Sequence, residues 1–228
     1  MRLLFALLFS ICIYVSSAQR TQLPHGLWTS IGLGLKLNDK WTSSTDVGYR
    51  TYSADFIPYT NYYRATIRYN FSNRVNYGGG IAVFNQRTTF NRENKEYSHE
   101  LRVYGELSQG SLKTSKGIFS QRWRLEQKYF QATSMKPAIN YQRLSVRILG
   151  GYQITPDWNI QTGPEWYESF IRRKFTFDQM RWNLMTGVQL GSGFSLVANY
   201  FVVIKSTTYQ NIFQVTFSKN LKLHDQHH

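Results

Sequence analysis

Charged side chains that could bind anions, transfer protons or pair with one another recur at every second position of this sequence. Within residues 119–130, one phase of period two carries Arg122, Arg124, Glu126 and Lys128, whereas the other phase is mainly aromatic and aliphatic. A β-strand sends alternate side chains to opposite faces, so such a segment has one charged face and one apolar face. Guanidinium and carboxylate groups on one face can hold an oxyanion, serve as acids and bases, or neutralise each other.

The same phase continues through other segments and defines a set of twelve candidate site residues. They are Arg64, Arg68, Glu100, Arg102, Glu106, Arg122, Arg124, Glu126, Arg143, Arg147, Glu165 and Arg181. With Asp46, Arg50 and Lys128, which share the phase, the charged face holds ten cations against five anions. Charges this dense require water or partners, so we expect them to form a salt-bridge network.

Catalysis and metal binding have weaker support. Glu126 and Glu165 could act as acids or bases, but their arginine neighbours favour structural ion pairs. His99 lies in the apolar phase, and the sequence has no G-x-S-x-G motif. The histidines at 224–228 lie on a tail, and such tails are usually solvated. We therefore predict no catalytic residues, no metal and no cofactor.

The overall charge does not indicate a nucleic-acid partner. The chain has 27 Lys and Arg against 13 Asp and Glu, for a net charge of +14. The basic residues are spread over successive segments, with no basic run and no recognisable nucleic-acid-binding module. The aromatic content of 16% favours strands instead.

The N-terminus is typical of a secretory signal. Arg2 precedes the apolar run Leu3 to Val15, and Ser16-Ser17-Ala18 suits signal peptidase. We predict a cleaved signal peptide over residues 1–18 and a single domain over 19–228 that ends in a short tail. Cys12 is the only cysteine, so the mature chain would form no disulfide.

The segments that carry these charges are predicted to be long β-strands. Period-two segments of about 11 to 13 residues are long enough to cross a bilayer when tilted. Short turns at 38–40, 72–74, 155–157 and 191–193 alternate with longer polar loops at most other connections, among them 88–96, 131–138 and 171–178. Aromatic residues near strand ends fit interfacial girdles: Trp41, Phe71, Trp158, Trp166, Phe194 and Phe217.

These features predict an all-β fold, an antiparallel transmembrane β-barrel of about 10–12 strands. About eleven strands can be counted, whereas an even number is expected of single-chain bacterial barrels, so residues 19–25 could supply part of another strand. A soluble periplasmic barrel or sandwich, with the charged face outside, is the alternative.

Charge matching predicts how neighbouring strands align. Between the fifth and sixth predicted strands, at residues 97–108 and 119–130, we expect the pairs Glu106–Arg122, Arg102–Glu126 and Glu100–Lys128. Glu165 is expected to lie between Arg147 and Arg181 on its two neighbouring strands. Gly78 and Gly80 would leave room for Arg64 and Arg68.

Several motifs resemble one family. They are S-H-E-L-R at 98–102, Q-R-W-R-L-E-Q at 121–127, Y-Q-R-L-S-V-R at 141–147, G-P-E-W at 163–166, F-D-Q-M-R-W at 177–182 and N-I-F-Q-V-T-F at 211–217. Together they are similar to a domain-of-unknown-function family of small outer-membrane β-barrels, best known from Bacteroidetes. The resemblance implies location and fold, and no established activity. S-H-E-L-R departs from the family's H-R order, which leaves His99 on the outward face.

We therefore expect a Gram-negative outer-membrane β-barrel in contact with membrane lipid, with a mainly structural or interaction role and an Arg/Glu salt-bridged lumen. A narrow channel for small anionic solutes is the first alternative. An outer-membrane lipid-modifying enzyme is the second, although we expect no enzymatic activity.

Overall fold

All elements of the described chain are β-strands. The computed structural model describes residues 21–23, 25–52, 57–72, 74–88, 96–110, 116–134 and 137–222. The strands are β1 Thr21–Gln22, β2 Gly26–Lys36, β3 Trp41–Tyr52, β4 Ile57–Asn70, β5 Val75–Arg87, β6 Tyr97–Gln109, β7 Gly117–Phe130, β8 Ile139–Thr155, β9 Trp158–Ile171, β10 Lys174–Gly191, β11 Phe194–Ile204 and β12 Thr208–Lys222. From β2 onward they have 11 to 18 residues, so some are longer than predicted.

Two short turns are stabilised by the side chain of their first polar residue. Asn38 Oδ1 accepts from the backbone N–H groups of Lys40 and Trp41 at 2.9 and 2.8 Å. Ser72 Oγ accepts from those of Arg74 and Val75 at 3.2 and 3.1 Å. These bonds favour a tight chain reversal, as short polar side chains commonly do in turns.

Eleven of the described strands close into a barrel. Strands β2 to β12 pair antiparallel in sequence order, and β12 then pairs with β2 in parallel, from Gly26 opposite Ile212 to Lys36 opposite Lys222. The parallel closure follows from the odd number, because an up-and-down ring of eleven strands begins and ends in the same direction. The barrel prediction is confirmed, but the expected even number is wrong, since Thr21 and Gln22 only pair with the start of β12.

The charged face is inside and the apolar face is outside. On β7, Trp123 and Leu125 are 46% and 54% exposed, whereas Arg124 and Glu126 are 9% and 3% exposed. The same orientation holds on the other strands, where large apolar side chains are exposed between buried polar ones. The predicted assignment of faces is confirmed, and the barrel interior is largely polar.

The predicted loop at 171–178 is a two-residue turn. Strands β9 and β10 continue to Ile171 and from Lys174, because aromatic pairs hold them together: Phe170 lies 4.9 Å from Phe175, and Trp166 lies 5.4 Å from Phe177, between ring centroids. The turn residues Arg172 and Arg173 have φ values of 49° and 66°. Both central residues of a type I′ turn need positive φ, for which Asn and Gly are the usual choices.

Glycines in β5 leave room for larger neighbours, but only one of the two arginine contacts is as predicted. A Cβ atom on Gly78 would lie 2.8 Å from Arg68 Cγ. A Cβ atom on Gly80 would instead lie 2.6 Å from Tyr104 Oη, because Arg64 is opposite Ala82 in the register. Gly80 thus accommodates a tyrosine on β6.

No described helix is long and apolar enough to span a membrane. The predicted signal peptide over 1–18 lies outside the described residues and remains a prediction.

Replacing Arg172-Arg173 with Asn-Gly is expected to stabilise the barrel. Non-glycine residues pay about 1 kcal/mol each in the left-handed region, so the double variant R172N/R173G should raise the free energy of unfolding by roughly 1–2 kcal/mol. Denaturant titration of the folded protein in detergent would measure this. R172K/R173K keeps the charge and the backbone strain and should match wild type. A lower free energy of unfolding for R172N/R173G than for wild type would contradict the inference that Arg172 and Arg173 are strained.

Two glycine substitutions on adjacent strands should differ sharply in their effect on the stability of the barrel. In Gly80→Ala the new methyl group would meet Ala65 O at 2.3 Å and the Tyr104 hydroxyl, so we expect a loss of roughly 1–3 kcal/mol from overpacking. In the matched control Gly105→Ala, the nearest atom to the methyl is 3.9 Å away, and stability should stay near wild type. Thermal unfolding of both variants tests this, and equal effects would refute it.

Candidate functional site: the lumen

The first carboxylate of the lumen, Glu106 on β6, binds two arginines. Glu106 Oε2 accepts from Arg124 Nη2 and Nε at 2.6 and 3.0 Å, and Oε1 accepts from Arg68 Nε at 2.8 Å. Because the Glu106 side chain is only 1% exposed, both oxygens depend on these donors. Glu106 thereby links β4, β6 and β7.

Glu126 on β7 is the second centre of the network. Its Oε2 accepts from Arg143 Nη2 and Nε at 2.6 and 2.9 Å. Arg124 and Arg102 also approach this carboxylate, at 3.8 and 4.0 Å. Arg143 Nη1 donates to Asp178 Oδ2 at 3.3 Å, so an acidic residue that the sequence had placed in a loop joins the network from a β-bulge on β10.

The register between β6 and β7 differs from the prediction by two residues. Glu106 lies opposite Arg124 rather than Arg122, and Arg102 lies opposite Lys128 rather than Glu126. A shift of two keeps every side chain on its predicted face, and long side chains reach diagonal neighbours. Lys128 Nζ still lies 3.1 Å from Glu100, which also binds Arg102. Matching the charges of directly opposed residues therefore could not distinguish the predicted register of β6 and β7 from the observed one.

Glu165 occupies the predicted position between two arginines. It lies opposite Arg147 on β8 and opposite Arg181 on β10. Its ion pair, however, is with Arg122, whose Nη2 donates to Glu165 Oε1 at 2.5 Å from two strands away. The chain of charges thus continues across β7, β8 and β9.

The structure brings the twelve candidate residues into one interior, but not all into ion pairs. Ten of them take part in salt bridges, as does Asp46, which binds Arg64 through two bonds of 2.8 and 3.1 Å. No carboxylate of the described residues lies within 4.0 Å of Arg147, Arg181 or the further inward arginine Arg50.

A cavity of 580 Å³ occupies part of the lumen. Eight arginines line it, against only two carboxylates, Glu126 and Glu165. Arg50, Arg147 and Arg181 are half-buried and face this space. The salt-bridged charges therefore leave a cavity within the lumen.

Inward-facing aromatic rings were missed as part of the site. Arg50 Cζ lies 3.9 Å from the ring centroid of Trp28, and Arg102 Cζ lies 3.8 Å from that of Phe84. Trp28 also meets Phe201 edge-on at 5.0 Å. Guanidinium groups pack favourably on such faces. The period-two pattern could have revealed these rings, because Trp28 alternates with outward-facing residues on its strand in the same way as the inward arginines do.

Glu96 and Ser134 are in contact near the start of β6. Ser134 donates to Glu96 through its backbone N–H and its hydroxyl, both at 2.6 Å. These hydrogen bonds hold the pKa of the exposed Glu96 carboxyl below its usual value. His99 is outward-facing, as predicted, and contacts Asn85 Oδ1 at 2.6 Å.

The described residues contain no cluster of three potential metal ligands. The histidine tail at 224–228 lies outside them, so the expectation that no metal binds there is still a prediction.

Glu106→Gln is expected to be strongly destabilising. The substitution removes the charge that Arg68 and Arg124 share, and breaking a buried ion pair typically costs about 3–5 kcal/mol. Thermal or denaturant unfolding in detergent provides the measurement. Asp39→Asn is the control, because its pair with Lys36 is at an exposed turn, and its stability should equal that of wild type. A Glu106→Gln variant as stable as this control would show that the network is not required.

A comparison with family models places most of this barrel in one family. A model described as "Protein of unknown function (DUF2490)" matches residues 25–213, from just before β2 to the middle of β12. No curated protein and no solved structure matches the chain. The chain belongs to this family of proteins of unknown function.

Proposed function

We propose that this chain is a transmembrane β-barrel of the bacterial outer membrane whose basic lumen admits small anionic solutes. The observation that carries the proposal is the reversal of polarity across the wall. Large apolar side chains such as Ile31 (65% exposed) and Leu125 (54% exposed) cover the outside, while Glu100 and Glu165 inside are 2% and 3% exposed. Apolar residues on the outer face suit acyl chains, and a polar interior is typical of outer-membrane barrels.

A soluble barrel would not account for this wall. Soluble monomers rarely expose contiguous apolar patches larger than a few hundred Å². Here the exposed apolar residues recur on every barrel strand from β2 to β12. The strands of 11 to 18 residues also reach or exceed the roughly 9–11 residues that a tilted strand needs to cross the hydrocarbon core.

The excess of positive charge in the lumen supports anions as the solutes. Arg50, Arg147 and Arg181 face the cavity without a carboxylate within 4.0 Å among the described residues. Rings or clusters of arginine favour anions in pores, because an anion entering the cavity meets uncompensated positive charge.

A purely structural role is the second candidate, and the salt bridges around Glu106 and Glu126 favour it. These carboxylates bind arginines on four strands, β4, β6, β7 and β8. Glu126 and its arginines also line the cavity, so the two roles share part of the lumen. Catalysis is not part of the proposal, and delivery to the outer membrane rests on the signal peptide predicted over 1–18.

Planar-bilayer recording tests the proposal. Purified wild-type protein should insert from detergent and give anion-selective conductance under a salt gradient, and Arg147→Ala should reduce the selectivity, because it removes a cavity-facing charge. Lys40→Ala, in an exposed turn, serves as the charge-matched control and should behave as wild type. Recovery of the native protein from the inner membrane or the soluble fraction would refute the location, and insertion without conductance would refute anion passage.

A further inference from the structure

The cavity has one wall without any carboxylate. Residues 26–38 and 179–222, which include β2, β11, β12 and most of β10, contain no Asp or Glu. The inward side chains of this wall are apolar near the end of β11 and the starts of β12 and β2, where Phe201, Val203 and Ile212 form a buried cluster against Trp28. All four residues line the cavity.

An arginine borders this apolar wall on each side. Arg181 lies opposite Val203 in the register, with its Cζ 5.5 Å from the ring centroids of Trp28 and Phe201. Arg50 lies opposite Trp28, with its Cζ 3.9 Å from the ring centroid. The buried Arg50 Nε has no acceptor among the described residues. Arg181 Nε and Nη2 also meet the side-chain amide oxygen of Gln179 at 3.0 and 2.8 Å, which is a neutral partner. Each guanidinium therefore packs beside an aromatic ring, and no carboxylate of the described residues neutralises its charge.

This arrangement combines two kinds of recognition within one space. Planar guanidinium groups bind a carboxylate through parallel hydrogen bonds, and an anion there would neutralise charge that no protein carboxylate meets. Beside them, the half-buried ring of Trp28 offers apolar contact that an inorganic ion cannot use, and the buried side chains of Phe201, Val203 and Ile212 support this ring from behind. The lining therefore suits a ligand with one anionic end and an apolar body.

We infer that the cavity binds a small organic carboxylate with a flat apolar or aromatic body. The carboxylate lies between Arg50 and Arg181, whose guanidinium groups both lie beside the Trp28 ring, and the body packs on Trp28. The cavity volume of 580 Å³ falls within the range of about 300–1,000 Å³ usual for small-molecule sites. This inference rests on the proposed admission of anions, because the ligand reaches the cavity through the lumen.

Binding can be measured on the full-length protein in detergent with four probes: benzoate, acetate, inorganic phosphate and the neutral benzyl alcohol. Benzoate should bind on the order of tenfold more tightly than acetate, because only benzoate uses the apolar wall. Phosphate and benzyl alcohol should bind more weakly than benzoate. Isothermal titration calorimetry provides the affinities.

Tryptophan fluorescence locates the ligand. Trp28 is the inward-facing member of the six tryptophans, while the other five are in outward phases. Benzoate should change the fluorescence of wild type, and Trp28→Phe should abolish most of that change. A change that persists in Trp28→Phe would place the ligand elsewhere and overturn the inference.

Matched arginine variants distinguish benzoate binding at this site from a general effect of positive charge in the lumen. Arg181→Gln should weaken benzoate by about tenfold or more, since it removes a charged hydrogen-bond donor. Arg68→Gln removes an inward arginine that is paired with Glu106 and does not line the cavity, so its benzoate affinity should match wild type. Circular dichroism confirms that both variants are folded, and Arg50→Gln replaces Arg181→Gln if the latter is not.

The outcomes distinguish this inference from the proposed function. Equal affinity for benzoate and acetate, tighter binding of phosphate, or equal losses in Arg68→Gln and Arg181→Gln would each overturn the inference. Anion-selective conductance without benzoate binding would refute only the ligand class. Benzoate binding without conductance would keep the site and refute passage through the barrel.

Discussion

The enclosure of charge is the constraint on which this structure depends. Closing eleven strands into a ring commits every second side chain to the inside, and here that half carries most of the arginines and carboxylates that lie on the strands. Glu106 and Glu126 are 6% and 3% exposed, so each must be met by cations from neighbouring strands. The same closure leaves the apolar half outside. The composition of the wall and the network in the lumen are two results of one alternation.

The interior charge is distributed unevenly around the ring. The inward carboxylates occur from β3 to the bulge in β10, and six arginines there form ion pairs with them. The rest of the ring supplies Trp28, Phe201 and Ile212 and contains no acidic residue. Arg50 and Arg181 lie at the borders between the two regions. The salt-bridged arginines therefore stabilise the barrel, whereas Arg50, Arg147 and Arg181 face the 580 Å³ cavity without a carboxylate partner among the described residues.

The sequence predicted which face each strand turns inward, because that property repeats locally with period two. It also placed Glu165 between Arg147 and Arg181, where one carboxylate faces an arginine on each neighbouring strand. It failed where several long side chains could satisfy one another diagonally, as between β6 and β7. The turn at Arg172-Arg173 carries no Asn or Gly to mark it. The cavity and the parallel closure depend on pairing between distant residues, which local periodicity does not contain.

The odd number of strands has a geometric consequence for engineering. The first residue of β2 and the last residue of β12 lie at opposite rims, because β2 and β12 run in the same direction. A circular permutation that joins these ends would need a linker about as long as a strand, whereas most domains have neighbouring ends. Duplication or deletion of a hairpin changes the strand count by two and preserves this asymmetry. Only the gain or loss of a single strand would bring both ends to one side.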